Sequence, residues 1–235
     1  MGSISDFETI TGETTGELTL KGSRFIGICM PCPDEGTIPS NLESVSSRWR
    51  DATHYCWAAV YGGSARRERS SDNGEPSGTA GKPILAVLKG TGLTDAMVIV
   101  VRYFGGTLLG TGGLVHAYTE GAKIAVADVT RVTRRACCVY SFHMGYADYS
   151  AFESKMADLM AVRPQCEYSG RVDVRARIPI ARRDEFLRRL SDLTERRVVP
   201  TELPDEYVRC DARWFLRFNT SGPSSWGGGV GTVKK

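Results

Sequence analysis

The stretch Asp95–Tyr118, DAMVIVVRYFGGTLLGTGGLVHAY, contains a β-strand, a turn and a helix start in sequence. Ala96–Val101 is the longest uninterrupted apolar run of the chain, and no polar residue marks a solvent face, so it reads as a strand covered on both sides. Beyond Phe104 the composition switches to glycine. The helix that follows carries an apolar stripe at Leu114, Ala117, Tyr118, Ala122 and Ala125, the spacing of a face turned to a core. A glycine-rich segment between a buried strand and a helix leaves backbone N–H groups beside the positive end of the helix dipole, where anions bind. The same glycines also suit close approach of helix and sheet.

Working outward, the elements mix strands and helices. Leu18–Cys32 reads as a strand or hairpin, Pro39–Ala52 as an amphipathic helix through Leu42, Val45 and Trp49, and YCWAAVYGG as a strand to which ARRERS pairs back. KPILAVLKGTG reads as a short helix with Pro83 in its first turn and a glycine stop. Near Thr130 glycine thins and arginine becomes frequent, which places a domain boundary there. RRACCVYSFHMGY, ADYSAFESKMADLMAV, CEYSGRVDVRARIPI, RRDEFLRRLSDLTERR and YVRCDARWFLRF then follow the order β-α-β-(β)-α-β of a split βαβ unit. The expected division is a flexible terminus over 1–16, a first domain over 17–130, a ferredoxin-like domain over 131–218 and a disordered Gly/Ser-rich tail over 219–235.

The 235 residues carry a formal net charge of +3, which permits contact with an anionic polymer without requiring it. The apolar run at Ala96 is far short of the ~20 residues of a membrane span, so no membrane association is expected. The N-terminus has neither the basic start nor the apolar middle of a secretory signal. Seven cysteines, an odd number without a signal, suit free thiols in the cytoplasm. Cys29-Met-Pro-Cys32 lacks a second pair at zinc spacing, so no metal and no cofactor is expected.

Two motifs carry candidate chemistry. In DATHYCWAAVYG, His54 and Cys56 are two apart on a strand and share a face, the arrangement of a thiol with its base; the bland reading is a core cysteine and a backbone-bonded histidine. In SSDNGEPSGTAGKP, Asp72 and Glu75 flank a glycine and suit a metal or general-base pair, while Asn73-Gly74 is a tight-turn signal and Ser77-Gly-Thr79 a cap for the next helix. GTAGKP fails as a nucleotide loop, because Pro83 stands where Ser or Thr would hold magnesium. Lys82 and Arg102 add positive charge to the glycine turn if the two loops meet. In the second half Arg171, Arg175 and Arg177 alternate along a strand, Arg182, Arg183, Arg188 and Arg189 follow on a helix, and Tyr168 is available to stack on a base; Asp173, Asp184 and Glu185 are interspersed, favouring an ion-paired face.

KGSRFI, THYCWAAVYG, SDNGEPSGTAGKPIL and VIVVRYFGGTLLGTGGLVHAY, in that order over about Gly16–Val129, closely resemble the IMPACT/YigZ family. The resemblance implies an α+β fold, with a first domain similar to the second domain of ribosomal protein S five and, in YigZ-type members, a ferredoxin-like second domain. Eukaryotic IMPACT proteins restrain the amino-acid-starvation kinase during translational stress, partly through an extra N-terminal RWD domain. The motifs here begin near Lys21, so the layout is expected to be the bacterial type. For that type the resemblance implies RNA or ribosome association and no established reaction. The positions falling on the family motif are His54, Cys56, Asp72, Glu75, Ser77, Arg102, Gly105, Gly106, Gly110, Gly112 and Gly113. Asn73 replaces a frequent second aspartate, and His116 stands where arginine is usual.

The expected function is binding of RNA or ribosome-linked partners with regulation of translation as its consequence. The expected surface comprises Ser77, Thr79, Lys82, Arg102, the five loop glycines and His116. A hydrolase or transferase using Cys56 with His54, Asp72 or Glu75, and a protein-interaction module, are the alternatives.

Overall fold

The computed structural model describes residues 4–209. They form two compact units, the first ending at Arg135 and the second beginning at Ala136. Both are mixed α and β with antiparallel sheets, an α+β protein.

In the first unit, β1 (Phe7–Ile10) precedes β2 (Thr14–Leu20), β3 (Ser23–Pro31), α1 (Thr37–Arg48), β4 (His54–Tyr61), β5 (Arg67–Ser71), α2 (Gly81–Gly90), β6 (Ala96–Tyr103) and α3 (Gly110–Ala127). The sheet order is β2-β3-β6-β4-β5, with β6 in the centre. Every residue from Ala96 to Arg102 is buried, as an unbroken apolar run requires. Its alternate residues enter different cores: Ala96, Val98 and Val100 pack with Ile84 and Leu88 of α2 and with Leu114, Tyr118 and Ala122 of α3. Met97, Ile99 and Val101 pack with Ile38 and Val45 of α1. The sheet is thus a middle layer between two helical layers, and two apolar cores meet along one strand.

α3 comes close to the sheet because glycines let it. A Cβ at Gly27 would lie 2.1 Å from the Gly121 carbonyl oxygen, and one at Gly16 would lie 2.1 Å from the Ile124 side chain. Both distances are well inside van der Waals contact, so β2 and β3 carry glycine where the helix crosses them.

The opening of the chain departs from the expected flexible terminus. Phe7–Ile10 pairs antiparallel with Arg131–Arg134, Thr14 begins β2, and Ile10 is buried in the α2–α3 core. Hydroxyl-rich TTGELTL alternates half-buried and exposed, so it carries no apolar run for sequence patterning to detect. α1 runs earlier than expected and ends before Trp49, since Asp51 takes a positive φ of 59° that no helix continues.

The second unit contains most of β7 (Arg131–Met144), then α4 (Tyr146–Met156), β8 (Gln165–Tyr168), β9 (Val172–Pro179), α5 (Arg183–Leu193) and β10 (Thr201–Arg209). The sheet runs β1-β7-β9-β8, and β10 also pairs with β7. Tyr140, Phe142, Val174 and Ile178 from the strands pack with Phe152, Met156, Phe186 and Leu190 from the two helices, so both helices cover one face. The final strand begins earlier than expected, at Thr201; the remainder of the anticipated segment and the 219–235 tail lie outside the described residues.

Gly27→Ala is expected to cost about 2–3 kcal/mol through overpacking against α3. Gly90→Ala, with open space around it, is expected to be neutral or slightly stabilising. Urea denaturation of the two variants checks the contrast.

Candidate nucleic-acid interface

The loop Ser70–Lys82 is held by its own aspartate. Asp72 Oδ1 accepts the N–H groups of Ala80 (3.0 Å) and Gly81 (2.8 Å), and Oδ2 accepts that of Gly78 (2.8 Å). Burial disfavours the ionised carboxyl, but these three donors, together with nearby Lys82, outweigh it and hold Asp72 below the ordinary aspartate range. Asn73, at φ 44°, receives the Tyr55 N–H on its side-chain oxygen (2.7 Å), which ties the turn to the start of β4. The expected anion-accepting role of this loop is therefore corrected: its amides already hold an internal carboxylate. Thr79 is buried and donates to the Pro76 carbonyl (2.7 Å), leaving Ser77 and Lys82 exposed.

Glu75 turns inward from the same loop. Its Oε1 accepts hydrogen bonds from Arg102 Nη1 (2.5 Å) and the Tyr118 hydroxyl (2.7 Å), and His54 Nε2 lies 3.8 Å away. The Glu75 and Arg102 side chains are 3% and 6% exposed. Removing one partner of such a buried pair leaves an uncompensated charge at a cost of about 3–5 kcal/mol. One carboxylate thus joins the first loop to the residues on either side of the second, Arg102 before the glycines and Tyr118 after them. Arg102 is consequently not a surface cation, contrary to the sequence expectation. Its Nε, buried, has no hydrogen-bond partner among the described residues.

Cys56 is buried beside this cluster and donates to the Asp72 carbonyl (2.9 Å). Burial, with a contribution from Glu75 and Asp72, pushes its thiol up to about 12, partly offset by Tyr118 and Arg102. Tyr118 is also raised, chiefly by burial. His54 Nδ1 lies 2.8 Å from the Asn73 carbonyl, which can only accept, so Nδ1 carries a proton, and Nε2 is the ring nitrogen on the Glu75 side. Of the expected catalytic set, the structure brings His54, Cys56 and Glu75 together, but as a protonated core thiol and an ion-paired carboxylate. Asp72 faces backbone amides, not a second carboxylate. Cys29 and Cys32 enter different cores, so the CxxC spacing forms no ligand pair.

The second loop is built where several segments meet at one end of the sheet. Thr53 N–H bonds the Arg102 carbonyl (2.8 Å), the Tyr103 hydroxyl bonds the Arg50 carbonyl (2.9 Å), and Phe104 N–H bonds Thr53 Oγ1 (3.1 Å). Ser23 Oγ accepts from both Gly105 N–H (3.2 Å) and Arg102 Nη2 (3.4 Å). Phe104 is left 46% exposed and Leu108 84% exposed. The Arg102 guanidinium lies 5.5 Å from the Phe104 ring centroid and 5.5 Å from that of buried Phe25. Lys21 and Arg50 are exposed on the adjoining turns and form no ion pair among the described residues, whereas Arg24 is paired with Glu17. Gly106, Gly110, Gly112 and His116 are exposed, and among the described residues no side chain caps the start of α3. Phe104 was missed from sequence because it reads as the last residue of a buried strand. Tyr118 was read only as part of a helical stripe.

The second-unit arginines singled out from the sequence are ion-paired. Arg175 and Arg177 share Glu206 (2.5 and 2.7 Å), Arg183 pairs with Glu202 (2.9 Å), Arg182 and Arg189 lie on Asp158 (3.8 and 3.3 Å), and Arg188 lies on Asp192 (3.7 Å). Arg171 lies 3.7 Å from Asp173, and Tyr168, although exposed, bonds Tyr149 through its hydroxyl. The ion-paired reading of this face is the one the structure favours. Cys138, Glu202 and Asp205 bring potential metal-ligand atoms within 4.8 Å of one another, but Arg183 already supplies a cation to Glu202.

Together these observations define a two-unit α+β protein with a glycine turn and an exposed aromatic at one sheet end, braced by a buried Glu–Arg–Tyr cluster. Residues 21–126 match the Impact N-terminal domain. The chain is 34% identical over 177 residues to the IMPACT family member YigZ of Escherichia coli (strain K12), covering 74% of this chain and 87% of that protein. It is 29% identical over 191 residues to the IMPACT family member YvyE of Bacillus subtilis (strain 168), covering 81% and 88%. A crystal structure described as that of a hypothetical protein shares 31% identity at a TM-score of 0.60, covering 87% of this chain and 100% of the other. The chain belongs to the IMPACT family.

Two expectations follow. Alkylation of Cys56 at neutral pH, followed by peptide mapping, should be on the order of a thousand-fold slower in the folded chain than in urea, because the thiolate fraction is suppressed; an equal or faster rate would restore the nucleophile. Asp72 has a lowered folded pKa, so its contribution is full above its unfolded value near 3.8 and is lost as pH falls through the folded pKa. Asp72→Asn should therefore be less stable than the parent by about 1 kcal/mol near neutrality, with the difference shrinking below pH ~4 in acid-denaturation curves.

Proposed function

We propose that this IMPACT-family protein is a cytoplasmic, translation-associated protein that binds single-stranded RNA, free or within ribosomal complexes, at the sheet end of its first unit. The observation that carries the reading is Phe104: a 46% exposed aromatic at the head of a glycine turn, with the exposed cations Lys21 and Arg50 on the adjoining turns. Aromatic platforms flanked by positive charge hold single strands by base stacking and phosphate attraction, without requiring a base-specific contact. Phe104 is fixed for this use, since its N–H is bonded to Thr53 and Arg102 lies against its ring.

The finer fold assignment is part of the same proposal. The first unit corresponds to a domain similar to the second domain of ribosomal protein S five, within 17–130, and the pairing of β7 with both β9 and β10, β8 beside β9, and two helices on one face support a ferredoxin-like unit from 131. Regulation of translation is the consequence of occupying RNA or ribosome-linked partners. The hydrolase reading is not favoured, because Cys56 is held protonated and His54 is directed to Glu75.

Fluorescence anisotropy with a short single-stranded RNA tests the reading on the full chain. Affinity should fall by about tenfold or more between ~50 and ~200 mM salt. Phe104→Ala should weaken binding by about 1–3 kcal/mol through lost stacking, whereas Arg175→Ala should change little, since its guanidinium is engaged by Glu206 in the second unit. Salt-independent binding, or binding unaffected by Phe104→Ala, would remove the proposal.

A further inference from the structure

The second unit contains a cavity of about 490 Å³, lined among others by Ser141, Gln165, Glu167, Asp173, Arg175 and Leu203. Val174, Ala176 and Ile178 of β9 pack under the two helices, so Asp173, Arg175 and Arg177, at the alternate positions, project from the opposite face of the sheet. Strand pairing fixes their neighbours. Ser141 of β7 and Gln165 of β8 lie directly opposite Arg175, and Glu167 lies opposite Asp173. Residues opposite one another share a face. Two rows therefore cross the cavity, one of Ser141, Arg175 and Gln165, the next of Asp173 and Glu167.

The rows are opposite in chemistry. The first presents donors. Arg175 bonds Glu206 through Nη2, while its buried Nε has no partner among the described residues, a rare state for a buried donor. Gln165 gives its side-chain oxygen to Arg177 (3.2 Å), which leaves its amide N–H groups for another acceptor. Because Glu206 is shared by Arg175 and Arg177, one positive charge on this side is not offset. The second row is acidic. Asp173 lies 3.7 Å from Arg171, but exposed Glu167 has no ion pair among the described residues, so one negative charge is left over. Diagonal neighbours on a sheet stand only ~7–8 Å apart, yet Arg175 pairs with Glu206 rather than with either acid of the cavity.

A phosphate chain entering this cavity meets two carboxylates, and a simple cation meets an arginine. A small molecule with one anion and one cation on the same carbon satisfies both rows. The geometry points to a binding site for a free α-amino acid, its carboxylate on Ser141, Arg175 and Gln165, its ammonium on Asp173 and Glu167, and its side chain against half-buried Leu203. Residues two apart on a strand stand about 7 Å apart, a gap that an α-zwitterion closes with a hydrogen bond of ~2.8 Å at each end. The site lies wholly within the second unit and uses no residue of the RNA surface, so either reading stands or falls without the other.

Isothermal titration calorimetry on the full chain tests the site, with L-leucine as the first probe and L-glutamine and L-lysine as polar and basic probes. L-leucine is compared with isopentylamine, which lacks the carboxylate, and isocaproate, which lacks the ammonium. The amino acid should bind at least about tenfold more tightly than either, equivalent to about 1.4 kcal/mol. Arg175→Gln and Glu167→Gln should each weaken it by about tenfold with Tm unchanged; Glu167 is exposed, so its variant tests the site without disturbing the core. Isocaproate binding as tightly as L-leucine would reveal an anion site alone, and isopentylamine binding as tightly a cation site alone; either overturns the inference. So does binding that survives both substitutions, or the failure of all three amino acids to bind with a Kd below ~1 mM.

Discussion

The buried ion pair between Glu75 and Arg102 is the interaction on which the candidate site depends. Glu75 belongs to a loop, Arg102 to the end of the central strand β6, and Tyr118, which shares the same carboxylate oxygen, to the long helix α3. Three segments distant in sequence are thereby tied at one point beneath the surface. A charge pair this deeply buried contributes little net stability against a well-packed apolar substitute, because both ions lose their hydration. It does set geometry: only one placement of loop, strand and helix leaves neither charge unpaired. Phe104 and the glycine turn follow immediately from Arg102, so their position is inherited from that pair.

Two helices of the first unit meet the problem of unsatisfied N-terminal amides differently. Around α2, Asp72 places a carboxylate on three backbone donors, and the helix start is filled by the chain itself. α3 begins without any such cap among the described residues, on exposed glycine-rich backbone. The dipole of each helix favours negative charge at this end. In one case folding supplies that charge; in the other the amides face solvent. The loop with acidic residues and the loop without them are therefore not equivalent halves of one anion surface, although Glu75 links them.

The second unit shows why a count of arginines is a poor guide to an anion-binding face. Glu206 is shared by two of the alternating strand arginines and offsets one of their two charges, and Asp158 faces two from α5 and the turn before it. Such pairs are half-exposed and individually weak. Their effect is on the field at the surface, where each removes a cation that sequence spacing had placed there.

What the sequence by itself determined was the order of the elements after the first strand, the burial of Ala96–Val101, the stripe of α3, the tight turn at Asn73-Gly74 and family membership, all signals carried by neighbouring residues. Local patterning is sufficient there, because periodicity and turn geometry act over a few residues. β1 and the start of β2 escaped it, since their strand character comes from pairing with Arg131–Arg134 and β3 rather than from an apolar run. Only the tertiary structure decided that Arg102 is paired and buried, that Asp72 caps a helix, that Cys56 is a core thiol and that Phe104 stands in solvent. Each of those roles is defined by a partner or a vacancy far away in sequence, and desolvation and charge pairing depend on distances in space that residue spacing does not encode.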